Sequence, residues 1–255
     1  AAKQLVEIQS VAGTLKLYIH TIDCMLDEHE GITWCLARDA QGKRLASCGQ
    51  DRTILIWTFD PRDNGLSLTD KLCGGHSKTI RSICFAPDGR RLAAASFDGT
   101  VSVWKHSSSE QEGSEGGGGR WSCIANLEGH ENEVKCVAWS PDGRLLATCG
   151  RDKTVWIWES SMDDDDFECL AVMADHSQDV KHVKWHPNEP VNPPSITTHI
   201  HIFGDTGITS YDESIRLWTS DPLEDDWFAT AALNGHMSTV WATDFDPFGN
   251  HLVSA

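Results

Sequence analysis

Residue types that could carry out acyl-transfer chemistry recur at fixed spacing in the 255-residue sequence. Residues 130–158 read HENEVKCVAWSPDGRLLATCGRDKTVWIW and contain His130, Thr148, Asp152 and Trp158. A hydroxyl nucleophile, an imidazole base and an orienting carboxylate are the parts of a hydrolytic triad. The residues could therefore form a proton relay, or they could brace the structure around them.

The spacing of this set is repeated along the chain. An aspartate follows a histidine after 22 residues, and a tryptophan follows after 28, in three places: His29, Asp51 and Trp57; His76, Asp98 and Trp104; His130, Asp152 and Trp158. His176 leads to Asp212 and Trp218 at 36 and 42 residues, which indicates a fourth unit with 14 extra residues, and His236 opens a fifth. Catalysis needs one such constellation, so a copy in every unit favours a structural role.

Each unit has the pattern of four β-strands. Short runs alternate apolar and polar residues, as in VKCVAW, LLATC, TVWIW and FECLAVM, and Pro-Asp-Gly turn signals stand at 87–89 and 141–143. With Gly-His at 75–76, 129–130 and 235–236, the closing aspartate and the terminal tryptophan, the units resemble the WD40 repeat. The resemblance implies an all-β fold, a propeller of radial four-stranded blades.

In WD40 repeats the histidine, a hydroxyl on the second strand, the aspartate and the tryptophan form a buried hydrogen-bonded chain. The resemblance therefore assigns a structural role to His130, Thr148, Asp152 and Trp158, and to the equivalent set His29, Ser47, Asp51 and Trp57. The second unit has Ala94 at the hydroxyl position, so we expect His76, Asp98 and Trp104 to lack that bond. The fourth unit has Ile208 there.

The repeat spacing predicts blades at about 33–73, 79–127, 133–173 and 180–233, and a partial blade at 239–255. Segments 12–27 and 191–206 do not fit the repeat, and we treat them as doubtful insertions, with translated intron as one hypothesis. LVEIQSV at 5–11 reads as an outer strand. The last residues, HLVSA, fall where the fifth unit should continue, so we expect a fragment of a longer protein.

Several stretches resemble one branch of the family more closely. LEGHENEVKCVAW (127–139), LLATCGRDKTVWIWE (145–159), HSQDVKHVKWHP (176–187) and the acid-aromatic starts DDDDFEC (163–169) and EDDW (224–227) resemble the WD40 subunit of the cytosolic iron–sulfur protein assembly (CIA) machinery, the Ciao1/Cia1 type. That family has seven blades. Four units and part of a fifth therefore predict an incomplete WD40 propeller, an open arc.

This second resemblance implies a function. It predicts a non-catalytic scaffold of the CIA targeting complex, in the cytoplasm with a nuclear pool as a further expectation, that aids transfer of Fe–S clusters to cytosolic and nuclear apoproteins. The implied partners are a MIP18-family protein, the helical-repeat adaptor MMS19, the iron-only-hydrogenase-like Nar1/IOP1 protein and the apoprotein clients. Two alternatives stay open: a generic WD40 interaction adaptor, such as a substrate receptor or chromatin reader, and an enzyme that uses one Ser/His/Asp set.

Composition argues against several other classes. The net charge of −17 disfavours general binding to nucleic acid or to an anionic membrane. Nine cysteines without a C-x-x-C pattern suit reduced thiols in strands of different blades, and a cluster needs several thiolates at one place. His199 and His201 lack cysteine partners. We therefore expect no catalytic residue, no cofactor and no metal site.

The WD40 resemblance also points to a partner-binding surface. The residue five after each histidine and the residue before each aspartate face the wider opening of the ring. Nine residues occupy these positions: Trp34, Arg81, Lys135, Lys181, Trp241, Gln50, Phe97, Arg151 and Tyr211. Arginine and aromatic side chains are common anchors of interfaces, so all but Gln50 are predicted to bind partners, with an acidic group as the ligand of Arg151. The alternative is that these residues are ordinary solvated surface positions that bind no partner.

Overall fold

A computed structural model describes residues 5–10, 13–18, 27–60, 62, 65–107, 119–161, 166–187, 200–204, 213–221 and 226–255. Every regular element in this part of the chain is a β-strand, and all strand pairs are antiparallel. The all-β prediction is confirmed. No helix in the described residues has the length and apolar character that a bilayer crossing requires.

Sixteen strands form four sheets, each of four strands that follow one another along the chain. The first sheet contains β3 (Thr33–Arg38), β4 (Arg44–Gly49), β5 (Ile54–Asp60) and β6 (Gly65–Leu72). The second contains β7 (Ile80–Phe85), β8 (Arg91–Ser96), β9 (Val101–Ser107) and β10 (Arg120–Leu127). The third contains β11 (Val134–Trp139), β12 (Leu145–Gly150), β13 (Val155–Ser160) and β14 (Phe167–Met173). The fourth contains β15 (Val180–Trp185), β16 (Ile200–Gly204), β17 (Ser214–Asp221) and β18 (Asp226–Asn234).

Two shorter sheets lie at either end of the described chain. β19 (Thr243–Phe245) pairs with β20 (Leu252–Ser254). At the other end β1 (Leu5–Ser10) pairs with β2 (Gly13–Tyr18) in a two-stranded hairpin. The sequence pattern predicts an outer blade strand at 5–11 and an insertion at 12–27, whereas β2 lies within the predicted insertion and pairs with β1.

Part of the other doubtful segment is also a strand. β16 lies within 191–206, and its backbone pairs with β15 on one side and β17 on the other, with Val183 opposite Ile202 and Ile202 opposite Arg216. The second strand of the fourth sheet therefore lies within the segment 191–206, which does not fit the repeat spacing. The repeat spacing shows only that the fourth unit has extra residues. It does not show which residues pair with β15 and β17 as the second strand.

The four sheets pack side by side through their first strands. β3 contacts β7, β7 contacts β11, and β11 contacts β15. Three apolar clusters fill the spaces between consecutive sheets; the cluster between the first two joins Ile54 and Ile56 to Ile80 and Leu92. First strands that contact one another, with largely exposed last strands such as β6 and β14, are the arrangement expected of propeller blades.

Polar side chains also connect neighbouring sheets. Arg91 is only 6% exposed. Its guanidinium donates to Ser160 Oγ on β13 at 2.7 Å and to the Gly143 carbonyl in the turn before β12 at 3.0 Å, and lies 4.7 Å from the centre of the Trp139 ring. The carboxylate of Asp88 in its own sheet accepts a further bond at 2.9 Å. Arg91 therefore fixes the second sheet against the third.

Candidate functional site: the hydrogen-bonded braces and the cation–aromatic face

The predicted sets form continuous hydrogen-bonded chains in the first and third sheets. In the third, Trp158 Nε1 donates to Thr148 Oγ1 at 3.0 Å, Thr148 Oγ1 lies 2.9 Å from His130 Nε2, and His130 Nδ1 lies 2.7 Å from Asp152 Oδ2. The tryptophan can only donate. The ionised Asp152 carboxylate can only accept, so in the neutral ring the proton lies on Nδ1, and Nε2 accepts from the Thr148 hydroxyl.

The first sheet repeats this chain. Trp57 Nε1 donates to Ser47 Oγ at 3.0 Å, and His29 joins Ser47 Oγ at 2.8 Å to Asp51 Oδ2 at 2.9 Å. Asp51 also accepts the backbone N–H groups of Glu30 and Thr53, so its carboxylate ties the segment before β3 to the turn before β5.

In the second sheet the expectation from Ala94 is wrong. Ser102, on the next strand and directly opposite Ala94 in the ladder, supplies the hydroxyl. Its Oγ lies 2.8 Å from His76 Nε2 and accepts Trp104 Nε1 at 2.9 Å, while His76 Nδ1 lies 3.3 Å from Asp98 Oδ2. Cross-strand neighbours share one face of a sheet, so a hydroxyl on either strand reaches the same histidine. The serine two residues before Trp104 is the sequence feature from which this hydrogen bond could have been predicted.

The fourth and fifth units are described in part. His176 and Trp218 are buried at 4% and 3% exposure. Ile208, Tyr211 and Asp212 lie outside the described residues. In the last sheet His236 Nε2 lies 2.7 Å from Ser254 Oγ, the same bond that His29 makes with Ser47.

These chains are unsuited to nucleophilic catalysis. The side chains of His76 and His130 are each 1% exposed, and Thr148 and Ser102 are completely buried, so no substrate carbonyl can reach the hydroxyl oxygen. The same oxygen is already occupied by a tryptophan N–H and a histidine. The sets act as braces, because a buried polar group left without its partner costs about 1–3 kcal/mol.

Burial and hydrogen bonding shift the ionisation of the braces. Burial favours the neutral carboxyl, but hydrogen bonds from His29, Glu30 and Thr53 outweigh it and hold the pKa of Asp51 below its usual range. The pKa values of Asp98 and Asp152 are lowered in the same way. Desolvation lowers the pKa of His76, although Asp98 opposes that shift.

A β-bulge places the predicted surface residues. In each of the four sheets one residue of the first strand has no partner in the second strand; these residues are Trp34, Arg81, Lys135 and Lys181. A bulge redirects the side chain of the extra residue. The turn residues Gln50, Phe97 and Arg151 lie at the same end of the sheets as these bulges. Each donates its backbone N–H, at 2.9 Å, to the carbonyl of the residue that precedes the first strand of its own sheet.

Cations and aromatic rings pair across neighbouring sheets at this end. Arg81 lies 5.0 Å from the centre of the Trp34 ring, Lys135 lies 4.4 Å from Phe97, and Lys181 lies 5.3 Å from Trp241. We call these six residues, together with Arg151, the cation–aromatic face. Trp34 and Trp241 are 42% and 59% exposed, so the rings remain available to a partner.

The face also contains acidic residues that sequence reasoning missed. Arg151 Nη1 lies 3.1 Å from Glu133 Oε1, and Lys181 Nζ lies 3.6 Å from Asp179 Oδ2. Burial raises the pKa of Glu133, but a backbone N–H, Lys135 and Arg151 outweigh it and lower the pKa overall. Desolvation lowers the pKa of Lys135. Both acids stand three residues after a histidine, a regularity that could have identified them.

No group of three or more His, Cys, Asp or Glu side chains within the described ranges could hold a metal ion. His199 falls outside those ranges, and the side chain of His201 lies outside the described part of the chain. The eight described cysteines are free thiols.

Comparison with curated proteins identifies relatives over most of this chain. A probable cytosolic iron-sulfur protein assembly protein 1 of Vanderwaltozyma polyspora is 43% identical over 79% of this chain and 57% of the relative. A probable cytosolic Fe-S cluster assembly factor of Schizosaccharomyces pombe is 42% identical over 89% of this chain and 32% of the relative. A probable cytosolic iron-sulfur protein assembly protein 1 of Scheffersomyces stipitis is 35% identical over 89% and 62%.

This chain therefore spans between 32% and 62% of the length of these three relatives. The family model described as WD domain, G-beta repeat matches residues 20–58, 68–105, 121–159, 167–219 and 227–255, which is most of the sequence. The predicted resemblance to WD40 repeats is confirmed. The chain belongs to the WD domain, G-beta repeat family.

Proposed function

We propose that this chain belongs to a non-catalytic scaffold of the cytosolic iron–sulfur protein assembly machinery. The observation that carries the proposal is the row of three cation–aromatic pairs, each of which joins adjacent sheets at the same end of the fold. The names of the similar fungal proteins support a role in cytosolic iron–sulfur protein assembly. In this role the protein aids transfer of Fe–S clusters to cytosolic and nuclear apoproteins.

The geometry of the face suits protein recognition. Arginine and tryptophan are over-represented among the residues that dominate binding energy, and rigid placement reduces the entropy lost on association. The bulges and the backbone bonds of the turn residues hold these side chains at fixed positions. Lys135 is half-buried, so its charge interacts with an acidic group through a partly desolvated medium.

The proposed partners are a MIP18-family protein, the adaptor MMS19, the iron-only-hydrogenase-like Nar1/IOP1 protein and Fe–S apoprotein clients, met in the cytoplasm and the nucleus. An acidic side chain or a terminal carboxylate is the group that the face should bind. Arg151 is best placed for it, because its side chain is 56% exposed. Its ion pair with Glu133, whose side chain is 24% exposed, lies at the surface, where such pairs contribute about 1 kcal/mol or less. A stronger carboxylate contact can therefore replace it.

Affinity purification of the tagged protein from cells, followed by mass spectrometry, tests the proposal. We expect iron–sulfur assembly factors to be enriched relative to a tagged unrelated WD40 protein. Enrichment of ubiquitin-ligase or chromatin subunits, with no iron–sulfur factor, would favour the generic adaptor instead.

A further inference from the structure

Two cysteines face each other across the first two strands of the first sheet. Cys35 on β3 is the ladder partner of Cys48 on β4. The bulge at Trp34 creates this pairing, because Thr33 lies opposite Gly49 and an unbroken ladder would bring Cys35 opposite Ser47. Partner residues in antiparallel strands have Cα atoms about 4.5–5.5 Å apart, within the span of about 4.4–6.8 Å that a disulfide bridges.

The two thiols differ in access and in ionisation. Cys35 is partly exposed, whereas Cys48 is fully buried. The neighbouring Cys48 thiol lowers the pKa of Cys35 to about 7, against the opposing effect of burial, and the nearby Arg81 charge contributes. The Cys35 thiol and burial raise the pKa of Cys48. Cys35 is therefore the more readily ionised thiol, and Cys48 is the thiol next to it in the ladder.

The third sheet contains the same pair in a closed setting. Cys136 on β11 is the partner of Cys149 on β12, again next to a bulge, but these residues are 6% and 0% exposed. A reagent in solution can reach Cys35 and cannot reach the third-sheet pair without local opening. The chain therefore provides an internal control that matches the pair in geometry and differs in access.

We propose that Cys35 and Cys48 form an oxidisable dithiol, in which Cys35 reacts with a hydroperoxide and Cys48 then closes a disulfide between β3 and β4. This inference does not depend on the proposed partners, since it concerns thiols that belong to the sheet itself.

The two steps balance with the peroxide as the oxidant. The Cys35 thiolate attacks one peroxide oxygen, the O–O bond breaks, and hydroxide leaves, so that Cys35 becomes a sulfenic acid. Cys48 sulfur then attacks Cys35 sulfur; the S–S bond forms, the S–OH bond breaks, and the departing hydroxide takes the Cys48 proton as water. Two thiols are oxidised and one peroxide is reduced to two waters.

Treatment of the reduced protein with hydrogen peroxide tests the proposal. The protein carries Cys24→Ser, so that Cys35 is the one cysteine in the tryptic peptide 17–38. After alkylation and digestion, mass spectrometry should detect peptide 17–38 joined to peptide 45–52. At partial oxidation we expect this product to exceed the 136–144 to 145–151 product by about tenfold, because peroxide must reach the attacking thiol, and Cys35 is partly exposed whereas Cys136 and Cys149 are buried.

Two variants separate the steps. Cys48→Ala should abolish the joined peptide and leave a sulfenic acid on Cys35 that dimedone traps, whereas Cys136→Ala should leave the 17–38 to 45–52 product unchanged. Cys35→Ala replaces the partly exposed thiol and should abolish both the joined peptide and any label on Cys48. Equal formation of the two joined products, or oxidation confined to the exposed thiols of Cys73, Cys123 and Cys169, would overturn the proposal.

Discussion

At the scale of single residues, one hydroxyl oxygen decides whether each brace is complete. In all three described braces it accepts the tryptophan N–H and donates to the histidine, so it satisfies two buried groups at once. Ser102 does this from a different strand than Ser47 and Thr148 do. The brace therefore depends on where the oxygen lies and not on which strand carries it.

Replacement of Ser102 by alanine should destabilise the protein by about 1–3 kcal/mol, because His76 and Trp104 both lose a buried partner. Adding Ala94→Ser to this variant should recover part of the loss, since Ala94 lies directly opposite and occupies the position of Ser47 in the first sheet. Urea denaturation followed by tryptophan fluorescence measures both effects. A Ser102→Ala midpoint equal to that of the wild type would show that the hydroxyl bonds contribute nothing.

The ionisation of the braces predicts a dependence of stability on pH. The lowered pKa of His76 means that the unfolded chain takes up a proton below about pH 6.5 while the folded chain resists it, so stability falls as pH drops through that value. The lowered pKa values of Asp51, Asp98 and Asp152 add a second loss below about pH 4.

Denaturation midpoints between pH 7 and pH 3 check this prediction. Asp98→Asn should be less stable at neutral pH and should lose less on acidification below about pH 4, because one carboxylate of lowered pKa is gone. A midpoint that rises as the pH falls from 7 to 5 would contradict the sign for His76.

At the scale of strands and sheets, the packing between neighbours depends on a few buried polar contacts as well as on the apolar clusters. Arg91 joins the second sheet to the third through two hydrogen bonds and the Trp139 ring. Trp185 Nε1 donates to the Ala138 carbonyl at 2.9 Å and joins the fourth sheet to the third.

Arg91→Lys should cost about 1–3 kcal/mol of stability, because an ammonium group cannot reproduce the planar fork that reaches Ser160, Gly143 and Asp88 together. Its neighbour Arg90 is exposed, and Arg90→Lys should change stability by less than about 0.5 kcal/mol. Thermal melting of the two variants side by side measures the difference. Equal melting temperatures would mean that the apolar cluster alone holds the sheets together.

The sequence predicts an all-β fold of repeated four-stranded units, but it carries no signal for the ladder registers. The spacing of His130, Asp152 and Trp158 reflects a fixed number of residues per unit, which the sequence records directly. The bulge at Trp34 inserts one residue without changing the alternation enough to be seen, and it is this insertion that brings Cys35 opposite Cys48. Ser102 was missed because the repeat pattern places the hydroxyl on the second strand, whereas Ser102 lies opposite that position on the third strand.

At the scale of the whole molecule, a net charge of −17 is combined with a local group of cations. Arg81, Lys135 and Lys181 each lie over an aromatic ring, and Arg151 pairs with Glu133. An acidic partner is therefore repelled by most of the surface and attracted by this face, which favours one orientation of binding. The WD40 resemblance points to the cations by their place in the repeat but not to Glu133 and Asp179, which reduce the positive charge of the face.

The central claim, that this face recruits iron–sulfur assembly partners, is tested most directly by paired charge reversals at the two ends of one strand. Arg151 follows β12 and pairs with Glu133, whereas Arg144 precedes β12 and pairs with Glu159 at 3.2 Å. Arg151→Glu and Arg144→Glu therefore make the same change in charge and break ion pairs of the same kind. Both should leave stability within about 0.5 kcal/mol of the wild type, because the side chains of Arg144 and Arg151 are 41% and 56% exposed.

The measurement is quantitative co-purification of iron–sulfur assembly factors with each variant, beside a melting curve. We predict that Arg151→Glu reduces co-purification about tenfold or more, the loss expected when a charged hydrogen-bonded contact is removed from an interface, while Arg144→Glu retains it. Normal co-purification with Arg151→Glu, or equal loss with both variants at unchanged melting temperature, would contradict the assignment of partner binding to the cation–aromatic face.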